Sequence, residues 1–126
     1  MTRGVIGIAL AGLVIAASGG SAGAQTLECT VTGTPGADRL MGTPGPDVIC
    51  GLGGNDRIFA RGGNDLVVGG RGAEVLTGGR DSDTLLGGRG RDMLRARDGV
   101  ASNDTADGGL GPDRCRIDSG DTAVSC

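Results

Sequence analysis

Apolar, acidic and glycine positions recur with a nine-residue period over half of the chain. In every unit the eighth place is a branched aliphatic residue and the sixth place is acidic. Gly holds the first place except at Ala60 and the fourth place except at Asp81. A fixed period predicts stacked units that bury their apolar residues only against neighbours. The seven units are GTPGADRLM (33–41), GTPGPDVIC (42–50), GLGGNDRIF (51–59), ARGGNDLVV (60–68), GGRGAEVLT (69–77), GGRDSDTLL (78–86) and GGRGRDMLR (87–95).

Each unit has room for one tight turn and one short strand. Glycine tolerates positive φ, so the first six residues are predicted to form a turn whose carbonyls point at a common centre. In the three-residue strand the eighth side chain faces inward, while the seventh and ninth face outward. Arg39, Arg57, Thr77, Thr84 and Arg95 fit the outward places. Because two units make one coil, the chain is predicted to be all-β, a parallel β-roll (β-solenoid) of about seven repeats.

The sixth-place acids are predicted to form two columns, because every second unit lies on the same side of the roll. Calcium takes about six to eight oxygen ligands, which are usually carboxylates and backbone carbonyls. Stacked turns offer both, so we expect at most five inter-turn Ca²⁺ sites, three in the longer column and two in the shorter. The longer column is Asp38, Asp56, Glu74 and Asp92, the shorter is Asp47, Asp65 and Asp83, and the glycine candidates are Gly33, Gly42, Gly51, Gly53, Gly69, Gly78 and Gly87.

The composition makes folding dependent on the ion. Gly accounts for 28 of 126 residues and Phe59 is the single aromatic residue. Ordering glycine has a large entropic cost that a single file of aliphatic side chains does not offset. Stacked carboxylates about 5 Å apart also repel each other. We therefore expect a largely disordered chain without calcium, for which metal-binding energy is folding energy.

Two other interpretations of the array involve no metal. A flexible Gly-rich linker has no reason to hold an acid and an aliphatic residue at fixed offsets. A calcium-independent structural β-helix explains the eighth place but leaves the sixth-place acids without a role.

The units match the pattern G-G-x-G-x-D-x-U-x, in which U is an aliphatic residue. The chain thus resembles the hemolysin-type (RTX) calcium-binding nonapeptide repeat family over 63 of its 126 residues. GGLGPDRCR (108–116), which has Cys115 at the aliphatic place, is interpreted as a degenerate copy in an Asp-rich C-terminal cap (96–126). The spaced aspartates and final cysteine of this cap are more loosely similar to small secreted actinobacterial members.

The N-terminal segment (1–24) is predicted to be a secretory signal peptide, followed by an N-terminal cap (25–32). Arg3 precedes an apolar stretch (4–17) and an Ala-Gly-Ala cleavage signal (22–24). The apolar stretch is shorter than the roughly twenty residues of a membrane span, which favours a cleaved signal over the alternative, an uncleaved anchor. No stable membrane span is expected after cleavage. The protein is therefore expected to be secreted. Calcium is abundant outside cells, so weak calcium sites are filled there.

Four cysteines in a small exported protein predict two disulfides. Three pairings are open, and we favour the local one, Cys29–Cys50 and Cys115–Cys126, because it staples both ends of the solenoid. Zinc binding by the thiols is the competitor, without C-x-x-C spacing or His to support it. In the tail, solvated loops are favoured over further calcium ligands for Asp104, Asp107, Asp118 and Asp121.

No constellation for catalysis emerges from the residues. The absence of His removes the usual general base, so the protein is not expected to be an enzyme. The formal net charge of −3 and the near absence of aromatic residues disfavour nucleic-acid binding. We expect a secreted calcium-binding protein with a structural or interaction role and an extracellular macromolecular partner. The alternative is an extracellular calcium buffer or sensor.

Overall fold

The computed structural model describes residues 14–16, 24–26, 28–99 and 103–126. The described residues contain strands and no helix, so none crosses a membrane as a helix. The strands are β1 (Val14–Ala16), β2 (Ala24–Thr26), β3 (Val31–Thr32), β4 (Arg39–Met41), β5 (Val48–Cys50), β6 (Arg57–Phe59), β7 (Leu66–Gly72), β8 (Val75–Thr77), β9 (Thr84–Gly90), β10 (Met93–Arg95), β11 (Thr105–Leu110), β12 (Arg114–Arg116) and β13 (Thr122–Val124).

The predicted signal segment (1–24) lies mostly outside the described residues. Where the segment is described, β1 pairs with β2 as an antiparallel ribbon. Signal cleavage therefore stays a prediction.

Two parallel sheets form the solenoid. The five-stranded sheet has the order β12-β10-β8-β6-β4, and the six-stranded sheet has the order β13-β11-β9-β7-β5-β3. Leu40 lies beside Ile58, and Ile49 beside Val67, so one coil consists of two nonapeptides. The predicted all-β parallel β-roll is confirmed, with about five coils.

The eighth-place side chains form the core between the sheets. Six of the seven are fully buried, and Leu40, at the N-terminal end, packs against them half-buried. Burying one such side chain contributes about 1.5–3 kcal/mol. The seventh and ninth places are less buried, except at the disulfide-bonded Cys50, which confirms the predicted alternation. The six fully buried residues are Ile49, Ile58, Val67, Leu76, Leu85 and Leu94.

The roll continues beyond the seven regular units. Ala106 lies beside Leu85, and Cys115 beside Leu94, in the same parallel register as the earlier coils. Residues 96–107 are thus a unit with three extra residues, and 108–116 continues the stack after it. The count of seven repeats is therefore low, because the longer unit also places its strand in the sheet.

Disulfides join Cys29 to Cys50 and Cys115 to Cys126, with Cα atoms 6.0 Å and 5.6 Å apart. The predicted local pairing is confirmed. Each bridge lies at one end of the roll, where a solenoid lacks a neighbour. Structural disulfides of this kind indicate an oxidising environment.

Candidate metal centre

The sixth-place acids lie directly before the strands, so the parallel register stacks them in two columns. The Asp56 column runs beside the five-stranded sheet and the Asp65 column beside the six-stranded sheet. Each of the acids from Asp47 to Asp92 is at most 5% exposed, and Asp38, at the N-terminal end, is half-buried. The structure thus brings together all seven predicted acids, in the two predicted sets.

Both columns are longer than the sequence predicted. Asp113 extends the Asp56 column, and Asp104 and Asp121 extend the Asp65 column. The expectation that Asp104 is a solvated loop residue is wrong, because it is 2% exposed and follows Asp83 in the column. A search that tolerates longer units would find it, since Asn103-Asp104 repeats the Asn-Asp pair at 55–56 and 64–65.

Asp118 and Asp107 lie outside the columns. The Asp118 carboxylate accepts hydrogen bonds from the amides of Asp98 and Gly99, 3.0 and 2.6 Å away, and pairs with Arg97 at 3.3 Å. Asp107 is half-buried at a ninth place and accepts the Gly109 amide at 3.0 Å. Both carboxylates therefore have local partners.

In six of the column aspartates one oxygen, Oδ1, accepts a backbone amide from the preceding coil. The amide of a sixth-place acid donates to the Oδ1 of the aspartate one coil further on. The distances from amide to Oδ1 are 2.8 Å for Asp38 to Asp56, 2.8 Å for Asp47 to Asp65, 3.0 Å for Asp65 to Asp83, 2.9 Å for Glu74 to Asp92, 2.8 Å for Asp83 to Asp104 and 2.8 Å for Asp92 to Asp113.

The second oxygen of these aspartates is buried without a hydrogen-bond partner in the described part of the chain. A buried carboxylate oxygen without a partner is costly, because its lost hydration is not replaced. A cation placed against these oxygens would remove that cost. The atoms concerned are Oδ2 of Asp56, Asp65, Asp83, Asp92, Asp104 and Asp113.

Glu74 interrupts this regularity. Both of its carboxylate oxygens are buried and have no hydrogen-bond partner among the described residues. Its side chain is one methylene longer than that of Asp, so its oxygens occupy different positions relative to the adjacent turns. Glu74 is thus the member whose neighbouring sites differ most from the rest.

First-place glycines bring a carboxylate and a carbonyl together. A Cβ on Gly51 would lie 2.5 Å from Asp56 Oδ2 and 2.5 Å from the Gly69 carbonyl oxygen. Such approaches leave no room for a side chain, which explains the glycine. They also place a hard anionic and a hard neutral oxygen beside the same backbone atom. The same arrangement, with its own acid and the next coil's carbonyl, occurs at Gly33, Gly42, Gly69 and Gly87.

The two remaining glycine candidates differ. Gly78 lies against its own acid, because a Cβ at this position would be 2.5 Å from Asp83 Oδ2. A Cβ on Gly53, which is a third-place residue, would instead meet the Pro35 carbonyl oxygen at 3.3 Å. The structure therefore does not bring Gly53 next to a carboxylate.

The first coil satisfies its carboxylates in another way. Asp38 Oδ2 accepts the Thr34 amide at 2.6 Å and the Thr34 hydroxyl at 2.9 Å. Asp47 Oδ2 accepts the corresponding groups of Thr43 at 2.6 and 3.1 Å. These hydrogen bonds replace hydration, so the threonines leave neither Oδ2 atom without a partner.

Burial raises the pKa of the interior carboxyl groups, and neighbouring acids raise it further. The pKa of Glu74 is raised to about 8 by burial and then by the charge of Asp92. Burial raises the pKa of Asp83 to about 7, and that of Asp65 and of Asp104 to about 6. Burial also raises the pKa of Asp56 and Asp92. The protein environment of the columns therefore disfavours the ionised form of these carboxyl groups.

The donor set suits a hard cation. The columns offer carboxylate and carbonyl oxygens, which calcium prefers, and no imidazole. No group of three or more Cys, Asp or Glu side chains converges in the described residues. Backbone carbonyls must therefore complete any coordination shell.

The model of one protein family matches the whole seven-unit array. It is described as RTX calcium-binding nonapeptide repeat (4 copies), and it matches residues 32–67 and 68–100. No curated protein and no solved structure matches the chain.

Proposed function

The chain belongs to the RTX calcium-binding nonapeptide repeat family, and on this premise we propose that it binds Ca²⁺ between stacked turns and folds on binding. The observation that carries the proposal is the set of six buried Oδ2 atoms without partners among the described residues. These atoms occur in both columns, on successive coils.

The sixth-place acids and the first-place carbonyls would hold the ions. When bound, Ca²⁺ supplies positive charge that stabilises the ionised carboxylates. The amide-to-Oδ1 ladder orients the carboxylates, as at Asp56, whose Oδ2 faces Gly51 of its own unit. The chain itself thus contributes oriented oxygens, and glycine contributes the close approach of the backbone.

We further propose that the protein is secreted and has a structural or interaction role. The N-terminal segment and the two disulfides support export. Calcium at millimolar concentration outside cells matches sites of modest affinity. The two columns engage most of the chain's acids, so these acids serve folding rather than catalysis.

Far-UV circular dichroism of the protein, with disulfides intact, tests the proposal. In chelator we expect mostly coil, and millimolar Ca²⁺ should restore the β signal. Mg²⁺ is the control, because it demands small octahedral sites and dehydrates reluctantly, so it should restore much less. A β-rich spectrum that is the same in chelator and in calcium would instead establish a metal-independent β-helix.

A further inference from the structure

The outer face of the five-stranded sheet is strongly basic. The ten outward places of β4, β6, β8, β10 and β12, two on each strand, include no acid. Five are arginines, and all five are exposed. We call this surface the arginine face, and its arginines are Arg39, Arg57, Arg95, Arg114 and Arg116.

The six-stranded sheet is the internal comparison. Its seventh and ninth places carry no arginine and are mostly Thr, Val and Leu. The two faces are built from the same repeat and differ only in their outward residues. Five of the eleven arginines in the described residues thus share one sheet face, although the net charge of the chain is −3.

The charges on the arginine face are not used inside the protein. The one ion pair among the described residues joins Arg97 to Asp118, both outside this face. Arg39 lies over the Phe59 ring, 5.8 Å from its centroid, and Arg95 contacts Met93 Sδ at 3.3 Å. The acids directly before these strands point inward into the columns, and Asp118, close to Arg116 in sequence, pairs with Arg97 instead. The guanidinium groups of the arginine face therefore form no ion pair within the described part of the chain.

Apolar side chains lie between the arginines. Phe59, Val75 and Met93 are half-buried there, and Met41 is 56% exposed. Parallel strands are about 4.8 Å apart, so the face extends about 19 Å from β4 to β12. It carries arginines at both ends and apolar side chains in the middle.

We propose that the arginine face binds the surface of an anionic lipid bilayer. Arginine suits the planar, bidentate recognition of phosphate, and basic residues are attracted to anionic headgroups. The apolar side chains would meet the boundary between headgroups and acyl chains. A face with charge at both ends and apolar side chains between them matches a bilayer better than a linear polyanion, which requires a continuous track of charge.

Vesicle co-sedimentation in calcium buffer tests this proposal, with phosphatidylcholine vesicles compared with vesicles that also contain phosphatidylglycerol. The variant Arg57→Gln/Arg95→Gln/Arg116→Gln removes three charges from the face. The matched control, Arg71→Gln/Arg80→Gln/Arg89→Gln, removes three exposed third-place arginines that lie outside the arginine face. Circular dichroism confirms that each protein is folded, so the result does not depend on how calcium acts.

We expect binding to vesicles with phosphatidylglycerol only, and about a fivefold loss per face arginine, or on the order of a hundredfold for the triple variant. The control variant should lose much less binding. Equal losses in the two variants, or equal binding to both kinds of vesicle, would overturn the proposal. Tighter binding of soluble polyphosphate than of vesicles would replace the bilayer with a linear polyanion.

Discussion

The first coil (33–50) and the central coils (51–95) present the same acid at the same place but surround it differently. In the first coil, Thr34 and Thr43 donate an amide and a hydroxyl to the carboxylate. In the central coils, the second place is Leu, Arg or Gly, and each aspartate Oδ2 is buried without a partner among the described residues. The difference shows that one turn can stabilise its carboxylate with hydrogen bonds or leave it for a cation.

The two regions should also differ in how far their folding depends on calcium. The first coil carries the Cys29–Cys50 bridge and three prolines, which restrict its unfolded ensemble. The central coils have neither disulfide nor proline. We therefore expect the first coil to be the least calcium-dependent part of the roll and the central coils the most.

The largest expected effect is the pH dependence of the calcium-free protein, because six buried carboxyl groups have raised pKa values in the fold. The folded protein binds more protons than the unfolded chain, whose acids titrate near 4. Stability should therefore be fully present below about pH 4 and be lost as pH rises through about 6 for Asp65, 7 for Asp83 and 8 for Glu74.

Circular dichroism in calcium-depleted buffer from pH 8 to pH 5 measures this as a gain of β signal. With calcium present, acidification should instead destabilise the fold, because protons compete with the ion for the carboxylates. The calcium concentration at the folding midpoint should therefore rise as the pH falls. A calcium-free protein that loses β structure on acidification would contradict the assignment of these acids.

The next largest effect is expected for Asp83→Asn. Asp83 is central in its column and 1% exposed, so its loss should raise the calcium concentration needed for folding by about tenfold to a hundredfold. In chelator the same change should stabilise, because it removes a buried charge without a partner. Asp107→Asn is the control, since Asp107 points outward, and it should change neither quantity. Calcium midpoints followed by circular dichroism distinguish the two variants.

Gly51→Ala should have a smaller effect on stability. This variant tests whether the turns of the central coils are more tightly packed than those of the first coil. The Cβ of the new alanine would lie 2.5 Å from Asp56 Oδ2. We therefore expect overpacking to lower the free energy of unfolding by about 1–3 kcal/mol. Gly36→Ala in the first coil is the control, because its Cβ would lie 3.8 Å from Thr34 Oγ1, an ordinary contact. Chemical denaturation in saturating calcium measures both, and similar losses would show that the close approach has no role.

The smallest effect is expected for Thr43→Val in the first coil. The change keeps the shape of the side chain and removes its hydroxyl donor to Asp47. We therefore expect the free energy of unfolding, measured by chemical denaturation, to fall by about 1 kcal/mol. Thr77→Val is the matched control, because the buried Thr77 hydroxyl has no partner among the described residues and its removal should be neutral or stabilising. If the two variants were equally stable, the threonines would not be what stabilises the first coil.

The sequence determined the period, the strands and the direction of each side chain. An aliphatic residue recurs at the eighth place, from Leu40 to Leu94. Because successive side chains of any strand point to opposite faces, this recurrence predicts a row of buried side chains on one face of each sheet. The same counting predicted the members of each acidic column from Asp38 to Asp92. The position of the cysteines at the two ends favoured the local disulfide pairing among three, and the structure confirmed it.

Only the tertiary structure decided what the period did not encode. The segment 96–107 breaks the nine-residue count, so the place of Asp104 depends on the register in which a longer unit joins the sheet. Which amide each Oδ1 accepts depends on atoms one coil away. The grouping of five outward arginines on the face of one sheet depends on which units share a side. Contacts between successive coils are made by stacking, and only a folded chain brings those residues together.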